Sequence, residues 1–243
     1  MEKSSYYLSK HTCFCLADNH YVFLDLRSDQ YLCLGRKHTD AMKVLLNGDQ
    51  SVDIRSTEIR LHGTGDFDGS ATIQALLKKG LLVENDAYGK PPIRARITAP
   101  STSTMEGIHK PRPRIGLAHV LNFFAAAATA SKNLRWESIE RTVRTVENRK
   151  STHTTAAASL DIDAISDLFE IFHTLRPYYP RKYLCLFDSL ALLHFLARYG
   201  VFPQWVYGVK VEPFAAHCWV QAGDAVVNDI IDNVRDYTPI MSI

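Results

Sequence analysis

Apolar residues alternate at first and then fall at helical spacing, and that change divides the chain. His11 to Leu16, Tyr21 to Leu26 and Gln30 to Leu34 alternate as short strands, with turn-forming residues 17–20 and 27–29 between them. Within these strands Cys13 and Cys15 share a face, as do Val22, Leu24 and Leu26, and Leu32 and Leu34. Helical spacing follows. Ala41, Val44 and Leu45 predict a helix over residues 37–46, stopped by Gly48, and 51–60 reads as a second, weaker helix. After a Gly/Asp loop at 62–69, Ser70 to Lys79 places Ile73, Leu76 and Leu77 on one face, with Ser70 to cap it and Gly80 to end it. Leu81 to Glu84 is a short returning strand. The result is a three-strand meander with three helices, β3α3, over residues 1–85, near the lower size at which a domain folds alone.

Residues 86–114 break the pattern. Pro91, Pro92, Pro100, Pro111 and Pro113 exclude regular structure, and the Ser/Thr run 101–104 has nothing to bury, so a solvated linker is predicted here rather than a partner-binding strip. Helical spacing then resumes and holds over 115–243. Gly116 to Ala130 is Ala-rich, and Leu134 to Glu147 is amphipathic through Ile139, Val143 and Val146. Asp161 to Leu175 carries one apolar stripe that Pro177 and Pro180 terminate. Cys185 to Tyr199 is apolar on nearly every side and predicts a central buried helix, closed by Arg198 and Gly200. Three strands follow, over Gln204 to Val211, Ala216 to Gln221 and Ala225 to Ile231.

Composition narrows the class. The chain has 243 residues, 46% apolar and 22% charged, which fits one or two ordinary globular domains. A net charge of +2 gives no support for nucleic acid or an anionic membrane as partner. Charge does gather at 91–114, where five basic residues face one acidic residue. Five cysteines with no regular framework argue against a secreted disulfide scaffold. The N-terminal residues lack the apolar core of a signal peptide, and the most apolar run, Ile115 to Ala130, falls short of the ~20 residues that span a bilayer. The expected setting is a reducing cytoplasm. No Gly-rich phosphate cradle is present. Cys13 and Cys15, with His11 and His20 nearby, lack a second paired cluster, so no metal is expected.

Three residues carry candidate chemistry. Cys185 opens its helix, and Arg181 and Lys182 precede it; a helix N-terminus and a nearby cation both favour thiolate. No Ser, Thr, Asp or Asn lies within 181–184, so the free N–H groups of that helix start can serve an incoming carbonyl oxygen. His217 sits in an alternating strand with Trp219 and Gln221 on its face and Cys218 on the other. Asp229 interrupts an apolar strand, where a buried carboxylate needs a partner. Hairpin parity turns this into a geometric test. A two-residue turn at Gly223–Asp224 pairs His217 with Ile230 and points His217 and Asp229 apart; a three-residue loop, or a bulge with the same effect, sets them opposite each other. A thiol peptidase therefore predicts the odd loop or the bulge. Asp188, one turn after Cys185, is open to a tuning or a structural role. Gln204, Trp219 or a backbone amide is open as second oxyanion donor.

Cys-Leu-Phe-Asp-Ser (185–189), Val-Tyr-Gly-Val (206–209), Pro-Phe-Ala-Ala-His-Cys-Trp-Val (213–220) and Asn-Asp (228–229) resemble the maturation proteases of lasso-peptide biosynthesis. The resemblance covers about the last sixty residues directly. It implies a Cys185–His217–Asp229 triad. It also implies an α+β fold, in which a winged-helix-like β3α3 module precedes a papain/transglutaminase-like cysteine protease domain. Residues 1–85 are similar to a PqqD-like precursor-recognition element, which implies that the leader of a precursor peptide adds as a strand beside Gln30 to Leu34 and Ser70 to Lys79, lined by Leu32, Leu34, Ile73, Leu76 and Leu77. The linker then tethers a bound leader near the thiol. The implied partners are that precursor and an asparagine-synthetase-like cyclase; the chain itself needs no cofactor, and ATP enters only through the cyclase. Acyl transfer to an amine, and a non-catalytic peptide escort, are the alternatives.

Overall fold

The computed structural model describes residues 5–36, 38–39, 59–60, 69–90, 95, 97–106, 113–153 and 162–243. The alternating segments form the expected meander: β2 (Thr12–Ala17), β3 (His20–Asp25) and β4 (Gln30–Cys33), antiparallel in the order β2-β3-β4. Asp18 and Asn19, both at positive φ, make the two-residue turn that pairs Ala17 with His20. A strand that alternation did not announce, β1 (Ser5–Ser9), pairs with β5 (Ile59–Arg60), β6 (Leu82–Val83) and β7 (Gly89–Lys90). Helix α1 (Gly69–Lys78) ends at Gly80, whose φ of 71° suits a residue without Cβ. Most of the helices expected over 37–46 and 51–60, and the loop at 62–69, lies outside the described residues. Ile59–Arg60, however, is strand, not the end of a helix.

The meander is covered on both faces. Phe14, Phe23 and Leu34 pack with Tyr6, Leu8, Ile73, Leu76 and Leu82. On the opposite face Cys15, Val22, Leu24 and Leu26 belong to the same apolar core as the second half of the chain, including Phe187, Trp205, Val209 and Met241. The Glu140 N–H donates to the Leu26 carbonyl at 3.1 Å across the same boundary. A shared core is inconsistent with a small unit held only by a tether.

In the second half, helices α2 (Leu117–Trp136), α3 (Ile139–His153) and α4 (Ile162–Leu175) surround α5 (Cys185–Ala197). Leu190, Ala191, Leu192, Phe195 and Leu196 are fully buried, as the all-round apolar pattern requires. One face of a five-stranded sheet, order β12-β9-β10-β11-β8, packs on α5. Its strands are β8 (Thr102–Ser103), β9 (Gln204–Lys210), β10 (Ala215–Ala222), β11 (Ala225–Val226) and β12 (Thr238–Ser242). Among the described residues no helix is long and apolar enough to cross a membrane.

Two expectations fail here, and one strand is new. The third strand of the hairpin ends at Val226 rather than Ile231, and the four-residue helix α6 (Ile231–Val234) follows it. β12 is new, and it closes the outer edge of β9. The stretch 86–114 is not a structureless linker where it is described. Its prolines cut it into short pieces but leave residues 101–104 free to pair, and β8 adds to the sheet parallel to β11. Ile97 packs with Val206, Trp219, Val226 and Val234 on the far face.

Candidate active site

Leu184, in extended conformation, is the N-cap of α5, and no side chain of its own caps the helix. Asp188 does part of that work from inside the first turn: its Oδ2 accepts the Leu184 N–H at 2.8 Å. Its Oδ1 receives the Arg176 Nε–H at 2.5 Å. Arg176 is 2% exposed, and its remaining N–H groups reach the carbonyls of Tyr179, Arg181 and Lys182 at 3.0–3.2 Å. One buried guanidinium thus shapes the whole approach to Cys185, and Asp188 has a structural role. Replacing one partner of such a pair leaves the other charge buried. Arg176→Met is expected to destabilise the fold by about 3–5 kcal/mol, read by denaturant unfolding, while exposed Arg235→Met changes it by less than about 1 kcal/mol.

Ser189 fixes the same turn to the sheet. Its hydroxyl donates to the Cys185 carbonyl at 2.7 Å and accepts the Trp205 indole N–H at 2.9 Å. Cys218, on the helix-facing side of β10, lies 3.5 Å from that hydroxyl and hydrogen-bonds the Cys185 sulfur. Cys218 therefore points away from the His217 side of its strand, as alternation predicts, but towards the nucleophile. The expected pairing of His217 with Asp229 is reached by another route than an odd loop. The turn has two residues: Ala222 pairs with Ala225 and Gln221 with Val226. One more ladder bond, Val227 N–H to the Val220 carbonyl, is made at 2.8 Å. Then Asn228 intervenes. Its Oδ1 takes the Val220 N–H at 2.7 Å in place of a backbone carbonyl, the strand stops, and the chain turns. The register that would send Asp229 to the wrong face is interrupted one residue before it. The His217 Nε2–H now donates to Asp229 Oδ2 at 2.6 Å, leaving Nδ1 for Cys185.

Asp229 is held from three other sides. Its Oδ1 accepts the Ile230 N–H and the Asn233 amide, both at 2.8 Å. Its backbone carbonyl accepts the Ser103 hydroxyl at 2.6 Å, and Thr104 donates its hydroxyl to the Val227 carbonyl at 2.5 Å. Ser101 adds a hydroxyl bond to Asp224, at the hairpin turn. The Ser/Thr run read as idle in the sequence is a strap across the Asp229 turn. In Ser103→Ala/Thr104→Val two such bonds go, each worth about 0.5–1.5 kcal/mol. Asp229 loosens, and the rate of Cys185 alkylation at neutral pH is expected to fall about tenfold with the thiolate titration moving upward. An unchanged alkylation-versus-pH curve would show the strap to be merely structural.

His217 also rests on rings: Trp219 at 6.0 Å and Tyr237 at 5.4 Å between centroids. Both lie over Gly208, His217's cross-strand partner, where any Cβ would meet Tyr237 at 2.8 Å and Trp219 at 2.9 Å. That explains the glycine of the Val-Tyr-Gly-Val strand.

The electrostatics follow from these contacts. Hydrogen bonds from Cys218 and then His217 outweigh the cost of burial and bring the Cys185 thiol down to about 4. Burial opposes charge on His217, but its bonds to Asp229 and Cys185 prevail and raise it to about 9. Burial likewise opposes ionised Asp229, and His217, Asn233 and the Ile230 N–H hold its carboxyl below the usual range. Cys218 is pushed up by its bond to Cys185 and by burial, so it stays a thiol. Between pH ~4 and ~9 the pair is a thiolate and an imidazolium, ready for attack on a carbonyl carbon and protonation of a leaving amine. The uncapped N–H of Cys185 is available to an oxyanion. Trp219 is excluded as second donor because its indole N–H is given to Gln221 at 3.0 Å, and Gln204 lines a different cavity beside Ile243.

The residues expected to line a leader site are only partly available. Leu34, Ile73 and Leu76 are buried in the small unit's own core, 6%, 1% and 1% exposed, and offer no surface in the unbound chain. They satisfy apolar spacing by packing on one another, which is why the pattern alone could not separate core from groove. Leu32 and Leu77 are half-buried at its margin. Among the described residues no cluster of His, Cys, Asp or Glu is gathered as a metal would require.

The family described as the transglutaminase-like superfamily matches residues 121–242. The microcin J25-processing protein McjB of Escherichia coli is 37% identical over 78 residues, which is 32% of this chain and 35% of that relative. The match therefore spans about a third of the relative's length. No solved structure gives a significant match.

Proposed function

The chain belongs to the transglutaminase-like superfamily, and from that premise we propose that it is a cysteine peptidase that removes the leader from a lasso-peptide precursor. The single observation that carries the reading is the Cys185–His217–Asp229 arrangement, with Asp229 Oδ2 2.6 Å from His217 Nε2 and the thiol brought down to about 4. The printed function of the relative, microcin J25 processing, supports the substrate class.

The steps follow from the residues. The Cys185 thiolate attacks the carbonyl carbon of the leader–core amide while the N–H at the helix start takes the developing oxyanion. The C–N bond breaks, and imidazolium His217 gives its proton to the departing core amine. A thioester of the leader remains on Cys185. Neutral His217 then takes a proton from water, the hydroxyl attacks the thioester, and the leader leaves as a carboxylic acid. Asp229 holds the ring and stabilises its charged form throughout.

Residues 1–85 act as the recognition element in this reading, with the outer edge of β4, which no strand among the described residues pairs, receiving the leader as an added strand. Residues 86–114 join it to the peptidase domain at 115–243. The freed amine passes to an ATP-using, asparagine-synthetase-like cyclase, and the peptidase chain needs no cofactor of its own. Incubation of the chain with a lasso-peptide precursor, with and without hydroxylamine, tests the reaction type by mass spectrometry. Hydrolysis yields leader acid and core amine without the additive. If leader product forms only as the hydroxamate, the chain is an acyl transferase instead.

A further inference from the structure

The meander was expected to hang from a tether, yet it shares a core with the catalytic half, and one of its strands reaches the active site. Tyr31 and Cys33 of β4 lie on the face that also carries Val22 and Leu24, by the pairing of Tyr31 with Leu24 and Cys33 with Val22. That face turns towards the catalytic half. The Tyr31 ring meets the edge of Phe214 at 5.7 Å between centroids, and Phe214 stands three residues before His217. Burial, and after it the thiols of Cys218 and Cys185 nearby, push the Tyr31 phenol up. Phe214 is 47% exposed and Leu184, beside the nucleophile, 54%, so large apolar side chains are open to solvent around the thiol. Asp29, in the turn before β4, and Leu184 and Leu186, either side of Cys185, line one cavity of about 230 Å³. The start of β4 therefore lies on the same core as Cys185, beside Phe214, while Leu34 just past its far end packs against α1. Among the described residues no strand pairs with the outer edge of β4.

With the leader docked along this edge as in the reading above, we propose that the fold itself sets a fixed number of residues between the docked leader and the bond that is cut. The inference rests on the peptidase reading above. Polarity follows from the geometry. A peptide antiparallel to β4 runs from the Leu34 end to the Gln30 end, so its later residues arrive at Cys185. That is the order required when the leader precedes the core. Spacing follows from the shared core. A flexible tether tolerates many spacings, because effective concentration changes slowly with length. A docked sheet does not: each extended residue advances the chain ~3.3 Å, so two residues misplace the amide by roughly 7 Å. Attack needs the reacting atoms within about 3–3.5 Å.

The full chain is assayed by mass spectrometry against three peptides. One is an unaltered lasso-peptide precursor that the chain is tested to cut. One has two glycines inserted between the paired leader segment and the cut bond, and one has two residues removed there. Cleavage of the native bond is expected to fall about tenfold or more in both altered peptides, or the cut to move by two residues. If both altered peptides are cut at the native bond at a rate within tenfold of the unaltered one, the fixed spacing is wrong while the peptidase reading stands. If the unaltered precursor is not cut at all, the peptidase reading falls and the spacing rule with it.

Discussion

Cys185→Ala is expected to lower the rate of precursor cleavage by a thousandfold or more, on the scale seen when an activated nucleophile is removed, with little change in stability. Removing the sulfur deletes the attacking atom and the thioester. It leaves the helix N–H groups, the Arg176–Asp188 pair and the Ser189 bonds in place, because those hold the backbone of residue 185 rather than its side chain. The Sγ is also a weak contributor to packing, since Cys185 sits half-buried at the margin of the core. Cleavage by the Cys185→Ala variant at the parent rate would reduce the chain to a peptide escort. Cys218→Ala provides the contrast. Its thiol is one of three groups that hydrogen-bond the Cys185 sulfur, beside His217 and the Cys218 backbone N–H, so activity should decline and the alkylation curve rise, but cleavage should survive.

Asp229→Asn is expected to cost about 10²–10⁴ in kcat/KM. The carboxylate accepts from His217 with Oδ2 and from the Ile230 N–H and Asn233 with Oδ1. An amide offers one acceptor oxygen and one donor nitrogen. Whichever way it turns, an N–H meets either the His217 Nε2–H or the Ile230 N–H. If the ring flips tautomer to accept, the proton moves to Nδ1 and the base no longer faces the thiol as an acceptor. The pH dependence gives the sign. Asp229 and the thiolate raise His217 to about 9; without the carboxylate that value falls. His217 in turn helps to bring Cys185 down to about 4, so the thiol value rises. The window in which thiolate and imidazolium coexist narrows from both ends. Iodoacetamide alkylation of Cys185 across pH 3–10 reads the acid limb directly: the parent curve should reach its half-maximum near pH 4 and the variant's at higher pH. Superimposable curves would mean that Asp229 does not act on the catalytic pair.

Sequence reading singled out Cys185, His217 and Asp229, and the structure brings His217 and Asp229 together near Cys185. A cysteine at an uncapped helix start, a histidine on an alternating strand and a carboxylate inside an apolar run each create a local demand, and the demands are mutually satisfied. It misjudged how Asp229 arrives. Strand parity treats every position as backbone, whereas Asn228 ends the ladder with a side-chain oxygen at 2.7 Å. An Asn–Asp pair closing a β-run was the available signal. Arg176 was missed because its partners are carbonyls of a loop with no periodicity. The strap at 101–104 was missed for a similar reason: hydroxyls that bind one carboxylate and two carbonyls 123–126 positions away leave no local pattern. In the first half the meander and its faces were legible. What the face of Cys15, Val22 and Leu24 packs against was not, because alternation shows that a strand has a buried side without showing what covers it.

That shared core also changes how recognition is to be probed. Deleting residues 1–85 would strip β12 of the strands packed on it along with removing any leader site, so truncation would confuse loss of recognition with loss of fold. Changes on the substrate keep the protein intact.

The central claim is that Cys185 attacks the carbonyl at the leader–core junction. It is tested most directly with a leader peptide that ends in a chloromethyl ketone, followed by peptide mapping of the labelled protein. We expect one leader per chain, attached at Cys185, with Cys13, Cys15, Cys33 and Cys218 unlabelled and the label lost in His217→Ala. A leader adduct on another cysteine, or none on Cys185 while the precursor is still cut, would contradict it.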